Sequence, residues 1–238
     1  MKAVRVIADA KLSWDDVPTP VPAAGEVLIK VQATAINRAD LMQRMGLYPP
    51  PPGASDVMGL ECAGTIAAVG DGVTRWKEGD EVCALLSGGG YAQFAVAPEG
   101  SVLPVPQGLT MAHAACLPEV FATAYLNMYI EANLQQGEKV ILHAGASGVG
   151  TAGIQLAKAF GNPSFVTAGG DDKIQACVDL GAEAGANRKT ERFLEKASTF
   201  AGDSGVDLIL DPVGGGYVQD NVKLLGVGGR LVLIGLMG

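Results

Sequence analysis

A strand that runs straight into a glycine turn and out into a helix constrains this chain more than any other feature. Lys139 to His143 is a compact apolar run, Ala144-Gly145-Ala146-Ser147-Gly148-Val149-Gly150 follows it, and Val149 to Phe160 carries Ile154, Ala157 and Lys158 at helical spacing. Strand, tight turn and helix in that order open a βαβ unit, which requires a parallel partner strand and therefore an α/β sheet. Glycines at 145, 148 and 150 let the backbone come close to a pyrophosphate. The helix start behind them presents unpaired N–H groups and the positive end of its dipole. Ser147 adds a hydroxyl donor. The same turn also fits an α/β sheet that binds no dinucleotide. It is not a hydrolase elbow, because Gly145-Ala146-Ser147-Gly148-Val149 lacks the Gly-x-Ser-x-Gly spacing.

The alternation continues with strand candidates at Phe165–Ala168, Ala184–Asn187, Val206–Leu210 and Arg230–Gly235, separated by helix candidates at Lys173–Leu180, Glu191–Phe200 and Tyr217–Leu225. That makes five parallel strands, one fewer than the six of a doubly wound dinucleotide fold. The first half reads differently. Strand candidates at 2–8 and 26–35 are separated by an extended connector with Pro18, Pro20 and Pro22. A short helix is expected at Asn37–Met45, then the stiff segment Tyr48-Pro49-Pro50-Pro51-Pro52-Gly53. Gly59 to Ala97 is a series of short, turn-rich strands of barrel or sandwich type, and Met111–Asn133 is mostly helical. A domain boundary is placed near residue 120, giving 1–120 and 121–238.

Glycine supplies 33 of 238 residues, about 14% against an ordinary ~7%, and its clustering at 88–90, 145–150 and 214–216 marks turns rather than a collagen repeat. With 48% apolar and 18% charged residues the chain is neither disordered nor fibrous. A net charge of −8 without a basic block argues against nucleic acid. The first residues lack a basic patch followed by an uninterrupted apolar core, and no stretch approaches 18 apolar residues without glycine or charge, so a cytoplasmic protein without membrane insertion is expected. Cys62, Cys83, Cys116 and Cys177 are widely spaced, and with His113 and His143 they show no zinc-ligand pattern, so a metal-free site is expected. Glu61 and Cys62 read as a structural carboxylate and a buried thiol. Asp171, 21 residues after Gly150, stands where a carboxylate holds the ribose of NAD, or it serves only the next helix dipole. Lys173 and Arg188 are either contacts for a 2′-phosphate or surface cations.

Asn37-Arg38-Ala39-Asp40-Leu41-Met42, Tyr48-Pro49-Pro50-Pro51, Gly59-Leu60-Glu61, the glycine turn and Asp211-Pro212-Val213-Gly214-Gly215, in that order, resemble the zinc-independent quinone oxidoreductases of the medium-chain dehydrogenase/reductase superfamily. The pattern is nearest to the p53-inducible quinone oxidoreductase group and runs through essentially the whole chain. The resemblance implies a GroES-like β domain followed by a Rossmann-type parallel sheet, NADPH as cofactor, a small quinone as substrate and a homodimer for full-length relatives. Zinc alcohol dehydrogenases of the superfamily carry a histidine before the glutamate and a cysteine-rich lobe. Here Leu60 takes the histidine position and the lobe is absent, in line with the metal arithmetic.

By the same resemblance Asn37, Tyr48 and Thr123 line the nicotinamide and quinone cleft. Gly145, Ser147, Gly148, Val149 and Gly150 form the pyrophosphate turn, and Gly214, Leu236 and Met237 help hold ribose and nicotinamide. Gly170 stands where a serine or threonine is common and Arg188 where tyrosine is common, with Lys173 and Arg188 the compensating charges and Asp171 a counterargument to NADPH. Met42 replaces a tyrosine of some bacterial relatives, leaving Tyr48 as the aromatic ring of this segment.

The expected reaction is hydride transfer from nicotinamide C4 to a quinone without metal, with solvent supplying protons and Thr123 orienting the nicotinamide. Reduction of activated alkenes such as enals is an alternative, because it shares the hydride step. A catalytically impaired binding or interaction protein is another. Its warrant is the chain end, where Val232-Leu233-Ile234-Gly235-Leu236-Met237-Gly238 stops at an apolar strand while family members continue. On that reading the sixth strand and the return to the first domain are missing, which exposes an edge and puts the dimer in doubt.

Overall fold

The structure is a computed structural model that describes residues 1–236, and the chain divides into two compact units, Met1–Glu119 and Val120–Gly238. The first unit contains β1 (Lys2–Ile7), β2 (Lys11–Asp16), β3 (Glu26–Thr34), α1 (Arg38–Arg44), β4 (Glu61–Val69), β5 (Glu81–Leu85), β6 (Phe94–Pro98), β7 (Val102–Pro104) and α2 (Met111–Ala114). Its main sheet is antiparallel with strand order β6-β3-β4-β5-β7. Alternation along β3 turns Val27 and Ile29 into a core with Cys62, Ile66, Val82, Ala84 and Val102, while Lys30 faces solvent. Gly64 is required because a Cβ there would run into the Lys30 carbonyl oxygen, so β3 and β4 meet at a separation that excludes a side chain.

β1 and β2 form a separate antiparallel ribbon running from Lys2↔Asp16 to Ile7↔Lys11, tied to the rest by an Ala3↔Ala92 bridge. β2 is not evident in the sequence. Its two large apolar side chains, Leu12 and Trp14, remain about half exposed, so the strand owes its existence to hydrogen bonds with β1 rather than to a buried face.

The second unit begins within α3 (Pro118–Tyr125), which continues into a π-helical stretch, Leu126–Glu131. There follow β8 (Val140–Leu142), α4 (Gly148–Phe160), β9 (Ser164–Ala168), α5 (Asp171–Leu180), β10 (Ala184–Asn187), α6 (Phe193–Ala201), β11 (Val206–Asp211), α7 (Val218–Leu224) and β12 (Leu225–Leu233). The five strands are all parallel in the order β10-β9-β8-β11-β12. Val140 and Leu142 pack with Met128, Ile154 and Ala157 on one face, and Ile141 packs with Phe193, Ala197 and Ile209 on the other, so helices cover both sides as a parallel sheet demands. β12 starts five residues before the expected Arg230. Leu225 pairs with Val206, then the register shifts to Leu208↔Arg230 across Gly226, Gly228 and Gly229, residues without intrinsic strand preference. Among the described residues no helix is long and apolar enough to cross a membrane.

The chain leaves β8 toward β9 on one side and reaches β11 on the other. The reversal falls at the carboxyl ends of β8 and β11, where the glycine turn and the Asp211–Gly216 loop emerge.

The Phe165 side chain is fully buried in β9 with its ring 5.7 Å from that of Phe200. Phe165→Ala is expected to lower the unfolding free energy by about 3–5 kcal/mol, measured as a reduced urea midpoint by circular dichroism.

Candidate functional site

The glycine turn is compact because each of three glycines excludes a side chain for its own reason. A Cβ on Gly145 would lie 2.6 Å from Val166 Cβ, one on Gly148 would lie 2.8 Å from Val120 Cγ1, and one on Gly150 would lie 2.5 Å from the Ala144 carbonyl oxygen. Ala144 enters the turn in the left-handed region at φ 53°, and Gly145 N–H donates to Thr167 O at 2.8 Å. Ser147 caps α4, its Oγ accepting the Gly150 N–H at 3.1 Å. That leaves the N–H groups of Gly148 and Val149 without a hydrogen-bond acceptor among the described residues. Two open donors on the first turn of a 13-residue helix, beside glycines at 145, 148 and 150, fit a pyrophosphate.

At the end of β9 the chain turns through Gly169 and Gly170, and Gly170 is the N-cap of α5. The Arg188 guanidinium lies beside this bend, its Nε and Nη2 3.6 Å from where a Gly169 Cβ would be, with Lys189 Cε at 3.4 Å. Lys189 is not among the residues the sequence singles out. Its signal is its place next to Arg188 just past β10, which pairs with β9. Lys173 is exposed on α5. Asp171 accepts Asn187 Nδ2–H at 2.9 Å from the first turn of α5.

The loop after β11 is organised by Asp211, which is completely buried. Its Oδ1 accepts the N–H groups of Val213 (2.7 Å) and Gly214 (3.0 Å), and its Oδ2 accepts Asn221 Nδ2–H at 2.9 Å. Gly214 has φ 66°, and a Cβ there would stand 3.0 Å from Leu236 Cδ2, so these two expected cofactor residues do come together. Met237 lies outside the described residues. Asn221 Oδ1 is 2.7 Å from His143 Nε2, and His143 Nδ1 is 3.0 Å from Thr167 Oγ1. Neither Asn221 nor Thr167 stood out in the sequence, because a lone Asn in an amphipathic helix and a Thr in a strand have no local signature.

In the first unit, Asn37 Nδ2–H donates to Glu61 Oε1 at 2.8 Å, and Glu61 Oε2 accepts the Glu119 N–H at 2.9 Å. Glu61 is buried. Loss of solvent pushes its carboxyl above the usual range, against the pull of those two donors. Asp40 Oδ2 accepts the Asn37 N–H (2.8 Å) and the Tyr91 hydroxyl (2.7 Å), which fixes the start of α1. Burial drives the Cys62 thiol up to about 12, so it is an inert core group. Tyr48 is exposed beyond α1. Thr123 is half-buried in α3, its carbonyl accepting Asn127 Nδ2–H at 2.8 Å. An open apolar cavity of about 560 Å³ is lined by Trp14, Ile36, Leu41, Met58 and Tyr91 among others, and neither Asn37 nor Tyr48 borders it. Among the described residues there is no group of three or more His, Cys, Asp or Glu side chains that could hold a metal ion.

An antiparallel GroES-like sheet followed by a parallel sheet with a glycine turn at its switch point defines a dehydrogenase/reductase of the medium-chain type. Residues 23–107 match the alcohol dehydrogenase GroES-like domain and residues 148–238 the zinc-binding dehydrogenase family. Quinone oxidoreductase of Rattus norvegicus is 34% identical over the whole chain, which spans 74% of that relative. Among solved structures, the CurK enoyl reductase is 32% identical with a TM-score of 0.90, covering all of this chain and 74% of its own. Mycobacterial Rv1454c, solved with NADPH, is 30% identical with a TM-score of 0.87, covering 99% and 74%. The chain belongs to the medium-chain dehydrogenase/reductase superfamily, as a homologue of its quinone oxidoreductases.

Two outcomes follow. Ser147→Ala is expected to cost about 1 kcal/mol of stability and Ser147→Gly only a few tenths, compared by chemical denaturation. Burial also lowers the His143 pKa from its ordinary 6.5, opposed by Asn221 and the Asp211 charge, with the Tyr217 ring packed alongside. Below pH 6.5 the unfolded chain takes up a proton at this histidine that the folded chain does not, so stability declines as pH falls through that value. Thermal unfolding between pH 7.5 and 5.5 should show this slope, and His143→Gln should flatten it.

Proposed function

We propose that this chain is an NADPH-dependent quinone reductase that works without a metal. The observation that carries the reading is the pair of open N–H groups at Gly148 and Val149, on a glycine-rich turn at the sheet's switch point. Arg188 and Lys189 stand beyond the end of β9, the place where this fold reads the adenine ribose. NADPH supplies a hydride from its nicotinamide C4, which with a proton from solvent converts a quinone to the hydroquinone.

The chain's own part is binding and orientation. Gly145, Ser147, Gly148, Val149 and Gly150 hold the pyrophosphate. Gly170, Lys173, Arg188 and Lys189 surround the 2′-phosphate, and the guanidinium is suited to paired hydrogen bonds with its oxygens. Gly214, Leu236 and Met237 support the ribose and nicotinamide, and Thr123 orients the ring. Asn37, its amide held in one rotation by Glu61, and Tyr48 position the acceptor carbonyl. The hydroquinone anion is resonance-stabilised, so positioned donors suffice without a strong general acid.

The likeness to an enoyl reductase supports a second reading, reduction of an activated alkene by the same hydride delivery.

Arg188→Ala should weaken NADPH binding about tenfold, or about 1.4 kcal/mol, and leave NADH binding within twofold, both followed by nicotinamide fluorescence. Equal losses for the two cofactors would remove the assigned role of Arg188. Turnover with 1,4-benzoquinone should exceed turnover with an enal, and robust enal reduction with negligible quinone reduction would favour the second reading.

A further inference from the structure

The carboxyl ends of β8, β9 and β11 are joined by a line of buried side chains that the hydride reaction does not itself use: Thr167, His143, Asn221 and Asp211. We infer that this line is a positioning element. It keeps His143 neutral as its Nε2–H tautomer and locks the glycine turn to the Asp211–Gly214 loop. The inference deepens the dinucleotide reading above and rests on it for its functional consequence.

The proton positions follow from counting donors and acceptors. Asp211 Oδ1 already takes two backbone N–H groups, and its Oδ2 takes an N–H from Asn221. This orients the Asn221 amide with Oδ1 toward His143, since the flipped amide would set one oxygen against another. His143 Nε2 at 2.7 Å must then be the donor. In the neutral ring Nδ1 is left as an acceptor, and Thr167 Oγ1 at 3.0 Å donates to it. The same hydroxyl oxygen accepts the Ala144 N–H at 3.3 Å. The protons on His143 Nε2, on Thr167 Oγ1 and on the Ala144 amide each have an acceptor. An imidazolium would also donate from Nδ1, and the Thr167 hydroxyl proton would then lose its acceptor in a site where water does not reach. Phe193 and Tyr217 close the ring in, both edge-on, with centroids at 4.9 and 4.8 Å.

The line ends on backbone at both sides. At one end it holds Ala144, the left-handed residue that opens the glycine turn. At the other it holds Val213 and Gly214, which carry the ribose-side loop. These two loops leave the neighbouring strands β8 and β11, whose ladder is continued one residue past β8 by His143 N–H donating to Leu210 O at 3.1 Å, and beyond that bond the line of side chains carries the connection. Side-chain hydrogen bonds of fixed polarity supply that register.

Three measurements test it: the His143 tautomer, amide exchange and NADPH affinity. Only two histidines are present, so long-range ¹H–¹⁵N spectra of labelled protein, with His113→Asn for assignment, report the His143 tautomer directly. The expected result at pH 7 is a protonated Nε2 and a bare Nδ1, and a protonated Nδ1 overturns the inference. Amide exchange then reads the coupling. Asn221→Leu should accelerate exchange at Ala144 as well as at Val213 and Gly214 by about tenfold. Thr167→Val should do the same from the other end, and Thr167→Ser should restore wild-type rates. Acceleration confined to the mutated end overturns the coupling. NADPH affinity measured on the same proteins should fall about tenfold in the Leu and Val variants and recover in the Ser variant. Wild-type affinity in Thr167→Val with a raised Ala144 exchange rate overturns the positioning role. If the wild-type chain binds no NADPH, the dinucleotide reading and its positioning consequence fail, whereas tautomer and exchange still decide the hydrogen-bonded line.

Discussion

A buried carboxylate needs its hydrogen bonds satisfied, and at Asp211 that requirement organises the end of the second unit where the glycine turn lies. Two backbone N–H groups and one side-chain amide converge on an anion that water does not reach. Removing any of them would leave a buried acceptor with unmet hydrogen-bonding capacity. The loop after β11 therefore has little choice of conformation, and Asn221, His143 and Thr167 inherit their orientations in turn. Precision in the backbone of the glycine turn is thus maintained by groups that never need to touch a ligand.

The same end of the sheet shows how glycine works here. Gly145, Gly148 and Gly150 are excluded from carrying a side chain by Val166, Val120 and the Ala144 carbonyl respectively, so the turn is packed against its surroundings rather than loose. Dense packing and open donors coexist because α4 begins at that point. The helix satisfies its later N–H groups internally and Ser147 satisfies that of Gly150, leaving those of Gly148 and Val149 open among the described residues. In the first unit Glu61 plays a comparable part, accepting from Asn37 and from the Glu119 backbone across a sequence separation that no local motif announces.

Much of this was legible from residue order. The β8 to α4 segment is strand, turn and helix by local chemistry alone, and the helices and strands that follow it lie within a few residues of where periodicity puts them. β2 was invisible because Leu12 and Trp14 are only half covered, and the early start of β12 was hidden by glycines that favour no element. Arg188 was a candidate from its position, whereas Lys189 became one only when β10 was seen to run alongside β9.

Sequence by itself determined the class of architecture and the place of the glycine turn within it, because apolar periodicity, helix starts and glycine requirements act over a few residues. Tertiary structure decided which polar groups meet. His143 and Asn221 are 78 residues apart in the chain, and their contact exists only because parallel strands bring β8 next to β11 and α7 packs behind them. A hydrogen bond depends on separations of a few tenths of an ångström, and at long sequence separation only the packed fold can specify that distance.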